Sequence, residues 1–170
     1  MAYRKNQFLL IYNNKNQVLV LKRNDRNYWE LPGFQISSAI SIKEQIQEFF
    51  SQEIHTDSYS IVKRSDVINR YELPKEFQSV EGVSGEEYRF LYVRAHREVS
   101  VRENSKYDDF SWINLQELPD KINIRNKEKI ADKLIDEFNW LQKEEKEYPM
   151  QNKIKEKDIF DETSIGRLDR

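Results

Sequence analysis

The pattern of apolar and polar positions predicts a hairpin at the start of the chain. Residues 8–12 form the continuous apolar run FLLIY, which is typical of a buried strand. The polar residues NNKN at positions 13–16 have the composition of a tight turn, and the apolar run VLVL at residues 18–21 follows as the partner strand. We therefore expect the chain to begin with two paired strands.

An amphipathic helix is predicted to begin directly after Ser41. Ser41 and Glu44 have the S-x-x-E spacing of a capping box, in which each side chain accepts a hydrogen bond from the backbone N–H of the other residue. Behind this cap, apolar residues recur at helical spacing and form one stripe: Ile42, Ile46, Phe49, Phe50 and Ile54. The helix should end near His55, where we expect a left-handed backbone conformation.

The rest of the chain predicts further strands and a closing helix. Strands are expected at residues 60–64, 67–71 and 88–95, with a long loop at residues 73–85. Aromatic side chains alternate along the third of these strands, and we expect them to pack in the core rather than to stack on bases. A helix at residues 125–147 presents an apolar stripe that consists of Ile130, Leu134, Phe138 and Leu141, with Ile135 and Trp140 beside it.

Composition and charge narrow the function classes. A length of 170 residues fits one domain, and a net charge of −2 gives no basic surplus that would favour a nucleic-acid partner. The absence of cysteine excludes disulfides, thiolate metal sites and a cysteine nucleophile. The apolar run near the N-terminus is too short for a signal peptide or a membrane span, so we expect a cytoplasmic protein without a membrane partner.

The C-terminal segment, residues 143–170, differs from the preceding sequence. It mixes lysine and glutamate, contains Pro149 and has only scattered apolar residues. Such a segment is either a solvated tail or a docking arm that orders against the domain, a second copy or a larger protein assembly. We therefore divide the chain into a domain at residues 1–142 and a charged extension at residues 143–170.

Two stretches of sequence carry a resemblance to a known family. The first is WELPG at residues 29–33 with the capped helix behind it, and the second is KYDDFSWINLQELP at residues 106–119. Their order and spacing resemble the Nudix hydrolase superfamily, whose box reads G-x5-E-x7-R-E-U-x-E-E-x-G-U. The resemblance extends over roughly residues 5–142 and implies an α/β fold, an α/β/α sandwich around a mixed sheet.

The chain keeps the spacing of the Nudix box but little of its chemistry. In order, the box positions G, E, R, E, E, E and G are occupied by Phe34, Ile40, Glu48, Phe49, Gln52, Glu53 and His55. In the family, glutamates on the box helix hold a divalent metal, usually Mg²⁺, and water attacks a bridging diphosphate. Of the three clustered glutamate positions, only the one at Glu53 still has a carboxylate here.

Two functional hypotheses follow from this resemblance. The first is a Nudix-fold protein that has lost hydrolysis, needs no cofactor and acts as a binding or assembly subunit, with a nucleotide-like small molecule as one ligand class. The second is an active or weakly active pyrophosphohydrolase of nucleoside diphosphate-linked compounds, which would use Mg²⁺ or Mn²⁺ in a rearranged acidic site. We prefer the first, because Phe49 cannot coordinate a metal and Gln52 offers only a neutral carbonyl.

Specific residues are assigned to these hypotheses. Glu48 and Glu53 are the candidate catalytic residues, and Glu53 and Glu87 are the candidate metal ligands if the protein is active. The candidate substrate contacts are Arg23, Gly33 and Phe34. Competing interpretations are a solvated helix face for Glu48, a surface glutamate for Glu53 and a surface salt bridge for Arg23.

Overall fold

The computed structural model describes residues 2–147. Its strands are β1 Tyr3–Tyr12, β2 Val18–Arg23, β3 Trp29–Glu30, β4 Gly33–Gln35, β5 Ile54–Thr56, β6 Tyr59–Glu72, β7 Gly85–Ala95, β8 Val99–Val101 and β9 Tyr107–Ile113. Its α-helices are α1 Ile42–Gln52, α2 Lys75–Glu81, α3 Leu118–Lys121 and α4 Lys127–Glu147, and a 3-10 helix spans Leu115–Glu117. The first residues of the predicted extension, 143–147, are the end of α4, whereas its remainder and the predicted docking arm lie outside the described residues.

A mixed sheet of seven strands forms the centre of the fold. Its main path runs β3-β2-β1-β7-β6, with β4 also pairing with β1 and β9 also pairing with β2. Strands β1 and β7 pair in parallel, and the other pairs in this sheet are antiparallel. Strands β5 and β8 form a separate two-stranded sheet.

Helices cover both faces of the large sheet, which confirms the predicted α/β/α sandwich. Successive residues of β1 point to opposite faces, so Leu9 and Ile11 join one apolar cluster while Leu10 and Tyr12 join the other. Helix α1 packs on the first cluster through its buried apolar side chains, Ile46, Phe49 and Phe50. Helix α4 packs on the second cluster through the predicted stripe, Ile130, Leu134, Phe138 and Leu141.

The prediction of a left-handed residue at the end of α1 is wrong. The helix ends at Gln52, and His55 lies in β5, where it pairs with Ser100. The carbonyl groups at this helix end are satisfied from outside the helix. Arg102 Nε donates a hydrogen bond to the carbonyl oxygen of Phe50 at 2.6 Å. The backbone N–H of Arg102 donates a hydrogen bond to the carbonyl oxygen of Glu53 at 3.0 Å. The chain can therefore leave the helix in an extended conformation without a glycine-like turn.

Two further local predictions are corrected. The two strands expected at residues 60–64 and 67–71 are one strand, β6, whose register against β7 shifts between Arg64 and Ile68. The expected loop at residues 73–85 contains α2, which ends at Gly82 in a left-handed conformation with φ of 73°. None of the side chains of α2 is buried, and its two apolar residues, Phe77 and Val80, are too few to show a helical stripe in the sequence.

The aromatic predictions for the sheet and the closing helix have different outcomes. Phe90 and Tyr92 of β7 are fully buried in the cluster under α4, as expected for core residues. Trp140 of α4 is 56% exposed and does not extend the buried stripe, so that prediction is wrong. The ammonium group of Lys63 lies 5.1 Å from the Trp140 ring centroid, in a cation–π contact at the surface.

Within the described part of the chain, no helix is both long enough and apolar enough to cross a membrane. The cytoplasmic location stays a prediction from the sequence.

Candidate functional site

A cavity of about 350 Å³ lies between α1, strand β4 with the loop that follows it, and the segment that leads into β9. Its aromatic lining residues are Phe34 and Phe49, and its charged ones are Glu48, Glu53 and Lys106. Gly33 and Gln52 also contribute to the lining. The predicted Nudix box therefore surrounds a real cavity in the folded chain.

The loop between β4 and α1 is fixed to the helix by one buried side chain. Gln45 is 6% exposed, and its Oε1 accepts a hydrogen bond from the backbone N–H of Ser37 at 2.8 Å. Its Nε2 donates to the carbonyls of Ser37 at 2.9 Å and Ile40 at 3.0 Å. Ser41 adds the predicted cap, because its Oγ accepts the backbone N–H of Glu44 at 3.1 Å. These bonds hold the loop in the conformation that shapes the cavity.

Gly33 is placed where no side chain fits. Strand β4 pairs with β1 and brings Gly33 opposite Phe8. A Cβ atom at Gly33 would lie 2.5 Å from the carbonyl oxygen of Gln7, which is closer than a Cβ atom can approach an oxygen without a clash. The glycine is therefore required for the close pairing of these strands, and this pairing places the next residue, Phe34, at the cavity.

Two aromatic rings form the apolar wall of the cavity. The ring centroids of Phe34 and Phe49 are 6.2 Å apart, and the rings are tilted by 41°. Phe49 is only 5% exposed and also contacts Phe50 edge-on, with centroids 6.1 Å apart. Both centroid distances lie within the range of about 4.5–7 Å for interacting aromatic pairs, so the wall is stabilised by direct ring packing.

The charged side chains come from two parts of the chain. Glu48 and Glu53 belong to α1 and its end, and Oε2 of Glu53 accepts a hydrogen bond from Ser105 Oγ at 3.2 Å. Lys106 comes from the segment before β9, and its ammonium group lies 5.3 Å from the ring centroid of Tyr107. The pKa of Tyr107 is well above its usual value, mainly because the side chain is buried. The nearby carboxylates of Glu30 and, to a smaller extent, Glu53 raise this pKa further.

The structure brings together four of the predicted site residues, Gly33, Phe34, Glu48 and Glu53. Arg23 does not line the cavity and instead forms an ion pair with Asp25, with Nε 3.1 Å from Oδ1. This is the surface salt bridge that the sequence left open as an alternative for Arg23.

Glu87 also lies away from the cavity lining. It is fully buried, and its two carboxylate oxygens accept hydrogen bonds from two arginines. Arg70 Nε donates to Oε1 at 3.0 Å, and Arg89 Nε donates to Oε2 at 2.7 Å. Burial by itself raises the pKa of Glu87, but the bonds from Arg70 and Arg89 outweigh burial and hold the pKa below its usual value.

Sequence reasoning missed Lys106 as a site residue. Lys106 reaches the cavity from a segment more than fifty positions beyond Glu53 in the chain, and no local pattern links the two. Within residues 2–147, no three His, Asp or Glu side chains form a group that could hold a metal ion. The two histidines have other contacts: His55 Nε2 lies 3.2 Å from Asp57 Oδ1, and His96 Nε2 lies 2.7 Å from Ser60 Oγ.

Comparison with known proteins identifies the fold. No protein-family model matches the sequence. The E. coli dihydroneopterin triphosphate pyrophosphohydrolase is similar over 78% of this chain and 96% of that chain, with 11% identity and a TM-score of 0.56. A C. elegans Ap4A hydrolase is similar over 78% of this chain and 96% of its own, with 13% identity and a TM-score of 0.53. The NUDIX domain of Shewanella oneidensis NrtR, complexed with ADP ribose, is similar over 81% of this chain and 89% of its own, with 9% identity and a TM-score of 0.54. The chain therefore has the Nudix fold, as its resemblance at residues 29–33 and 106–119 predicts.

Proposed function

We propose that this Nudix-fold protein does not hydrolyse diphosphates and acts as a binding or assembly subunit. The observation that carries the proposal is the packing of Phe34 against Phe49 in the cavity, at 6.2 Å between ring centroids. These two residues occupy the positions of the box glycine and of a box glutamate. A pair of aromatic rings thus occupies the positions at which the family has a glycine, which lets the backbone approach closely, and a metal-binding glutamate.

The donor set of the cavity is poorly suited to Mg²⁺. Magnesium prefers hard oxygen ligands in near-octahedral geometry, and it is usually held by carboxylates. Phe49 supplies no ligand atom, and Gln52 supplies a neutral carbonyl. The carboxylate of Glu53 is also bonded to Ser105. Removing even an outer partner of a metal site lowers activity or affinity by about 10–100-fold, and the loss of direct ligands should exceed that.

A second candidate function rests on Glu48, whose side chain lines the same cavity as Glu53. Two carboxylates could hold Mg²⁺ or Mn²⁺ for hydrolysis of nucleoside diphosphate-linked compounds. Against this, residues five positions apart on a helix point in directions that differ by about 140°. Glu87, the third ligand of that hypothesis, would have to leave Arg70 and Arg89. We therefore favour the non-hydrolytic function.

Hydrolysis assays on the full chain separate the two functions. The substrates are nucleoside triphosphates, dinucleoside polyphosphates, nucleotide sugars and capped RNA, each with Mg²⁺ and with Mn²⁺. We expect no turnover. Turnover that is abolished by Glu53→Gln but kept by Glu44→Gln, a change on the same helix outside the cavity lining, would establish the hydrolase instead.

The assembly role extends to the C-terminal segment, which the sequence predicts as a tail or a docking arm. Sedimentation of the full chain and of a chain ending at residue 147 tests the homodimer form of this role. A dimer that becomes a monomer on truncation would support a docking arm. Identical monomers would direct the search to a heterologous partner or to a small ligand.

A further inference from the structure

A second polar cavity, of about 190 Å³, lies between the β1–β2 turn, the 3-10 helix and α4. Its polar lining consists of one ammonium group and five carboxamides, from Lys15, Asn16, Asn114, Gln116, Asn139 and Gln142. The remaining lining is apolar, and none of the described residues around this cavity is acidic. The cavity also shares no lining residue with the cavity of the Nudix box, so it is a separate candidate site.

The β1–β2 turn, which carries Lys15 and Asn16, is fixed by the side chain of Asn13. Asn13 Oδ1 accepts hydrogen bonds from the backbone N–H groups of Lys15 at 3.0 Å and Gln17 at 2.9 Å. The backbone N–H of Asn16 donates to the carbonyl of Asn13 at 3.0 Å, with Asn16 in a left-handed conformation. Within residues 2–147, the ammonium of Lys15 and the amide of Asn16 have no hydrogen-bond partner. The turn therefore places two rigidly anchored residues at the cavity and leaves their polar groups available.

Gln142 of α4 contributes a buried amide group that is not paired. Its Nε2 is buried and has no hydrogen-bond partner among the described residues. Nearly all buried polar groups in folded proteins are paired, because an unpaired buried donor is unfavourable. The terminal torsion of a glutamine side chain turns easily, so this amide can reach an acceptor in the cavity that Gln142 lines. An acceptor bound there would relieve the unpaired donor.

The charges around Gln142 favour an anion. A larger cavity, of about 770 Å³, lies at the end of α4 and shares Asn16 and Gln142 with the smaller one. Glu145 in this lining is already engaged, since it accepts a hydrogen bond from the hydroxyl of Tyr12 at 2.6 Å and lies 3.6 Å from Arg94. The charged residues of the two linings are Lys15, Arg94, Lys143 and Lys146 against Glu145 and Glu147, which leaves a net charge of +2. The whole chain has a net charge of −2, so this region is a local basic excess that attracts anions.

We infer that the smaller cavity binds a small oxyanion, a carboxylate or a phosphate, which accepts hydrogen bonds from the amide of Gln142 and the ammonium of Lys15. Ammonium and carboxamide groups supply the donors, and bonds to an ionised acceptor are stronger than bonds to a neutral one. A cation would meet an ammonium group and no carboxylate in this lining. The adjoining larger cavity has room for the rest of an organic molecule that carries the oxyanion.

The test is a titration of the ¹⁵N-labelled full chain, in which NMR observes the side-chain NH₂ group of Gln142 directly. The probes are inorganic phosphate and acetate, with chloride at equal ionic strength and neutral acetamide as controls. We expect the Gln142 NH₂ signals to shift and saturate with at least one oxyanion, at a dissociation constant below about 10 mM. The tighter of the two oxyanions identifies the ligand class. Absence of a shift, or an equal shift with chloride or acetamide, would overturn the inference and assign the amide to water.

Matched variants locate the binding. Gln142→Met keeps the length of the side chain without its amide and should weaken binding at least about fivefold, measured on the side-chain signals of Asn139. Lys15→Gln should weaken binding at least about threefold, whereas Lys133→Gln, at an exposed position of α4 outside both linings, should leave it unchanged. Unchanged backbone signals of α1 show that each variant is folded. Equal effects of the two lysine variants would reduce the binding to general electrostatic attraction and refute the site.

This inference is independent of the proposed function. Hydrolysis of a nucleotide with Mg²⁺ would refute the proposed function and leave the oxyanion site untouched, because the two cavities share no residue. Failure of the Gln142 signals to respond would refute the oxyanion site alone.

Discussion

The ring of Phe49 packs against the ring of Phe34, with 6.2 Å between their centroids. The two residues lie fifteen positions apart in the sequence and meet because β4 and α1 face the same cavity. The two substitutions in the box, Phe34 in place of glycine and Phe49 in place of glutamate, therefore form a single packed structural feature. Each ring provides part of the apolar surroundings of the other, so reverting either residue alone should disturb the fold before it restores any chemistry.

Phe49→Glu tests this coupling. The change places a carboxylate on a side chain that is 5% exposed and packed against two aromatic rings, without a basic partner in the observed contacts. We expect the free energy of unfolding to fall by at least about 3 kcal/mol, because aromatic packing is lost and a charge is buried. Urea unfolding followed by tryptophan fluorescence measures the change.

Phe49→Leu is the matched control for that variant, because it removes the ring while keeping an apolar side chain. We expect it to cost less than Phe49→Glu. Neither variant should hydrolyse nucleotides with Mg²⁺. Diphosphate release by Phe49→Glu would show instead that one carboxylate is enough to rebuild the metal site.

Gln45 is predicted to control the shape of the cavity through the loop that it holds. Gln45→Leu keeps the size of the side chain but removes three hydrogen bonds to the backbone of Ser37 and Ile40. We expect stability to fall by about 2–3 kcal/mol and amide hydrogen exchange to accelerate in residues 37–40. Gln47→Leu on the exposed side of α1 is the control and should leave exchange in this loop unchanged. Equal exchange in the two variants would mean that another contact holds the loop.

The overall fold could be predicted because its apolar pattern is local. The runs that form β1 and β2 and the spacing along α1 and α4 are visible within short windows of sequence. Elements without buried apolar side chains could not be found in this way. The first half of β1 contacts β7 through polar side chains in addition to the backbone pairing, with Arg4 Nε 2.7 Å and Asn6 Nδ2 2.8 Å from the carboxylate oxygens of Glu86. Such a pairing has no signature in the sequence of β1 alone.

The candidate site was predictable only in part, for a similar reason. Glu48, Glu53 and Phe34 belong to one contiguous stretch, and the resemblance assigned them to one site. Whether Glu87 would join them depended on the register of β7 against β6, which places Arg70 directly opposite Glu87. An arginine two positions further along β7, Arg89, completes the ion group. The register between two strands depends on the packing of the whole sheet and is not encoded in a short motif.

Glu87 is predicted to stabilise the protein in a pH-dependent manner. Its pKa is lowered from 4.5 in the folded chain, so its stabilising contribution is fully present above about pH 4.5 and is lost as the pH falls through the folded pKa. Glu87→Gln should therefore lower the free energy of unfolding at pH 7 by about 3 kcal/mol, because Arg70 and Arg89 lose their counter-charge. The difference between the variant and the parent chain should shrink in strongly acidic solution.

The surface pair of Arg4 and Glu81 provides the control for this pH dependence. Its nitrogen and oxygen atoms are 3.3 Å apart, and the side chain of Glu81 is 47% exposed. Glu81→Gln should change stability by less than about 1 kcal/mol at either pH, as is usual for exposed ion pairs. If Glu87→Gln were as mild as Glu81→Gln at pH 7, the buried ion group would not be a net source of stability.

Glu137 is predicted to join α4 to the irregular part of β6. Its carboxylate accepts hydrogen bonds from the hydroxyl of Tyr92 at 2.8 Å, from the backbone N–H of Asp66 at 2.9 Å and from Ser65 Oγ. Glu137→Ala leaves the buried hydroxyl of Tyr92 and the backbone at the register shift without this acceptor. We expect a loss of about 3 kcal/mol in urea unfolding, because partly buried donors to a charged group lose their partner. Asp136→Ala, at the neighbouring exposed position of α4, should cost less than about 1 kcal/mol, and a similar cost for both variants would assign the effect to the helix rather than to this contact.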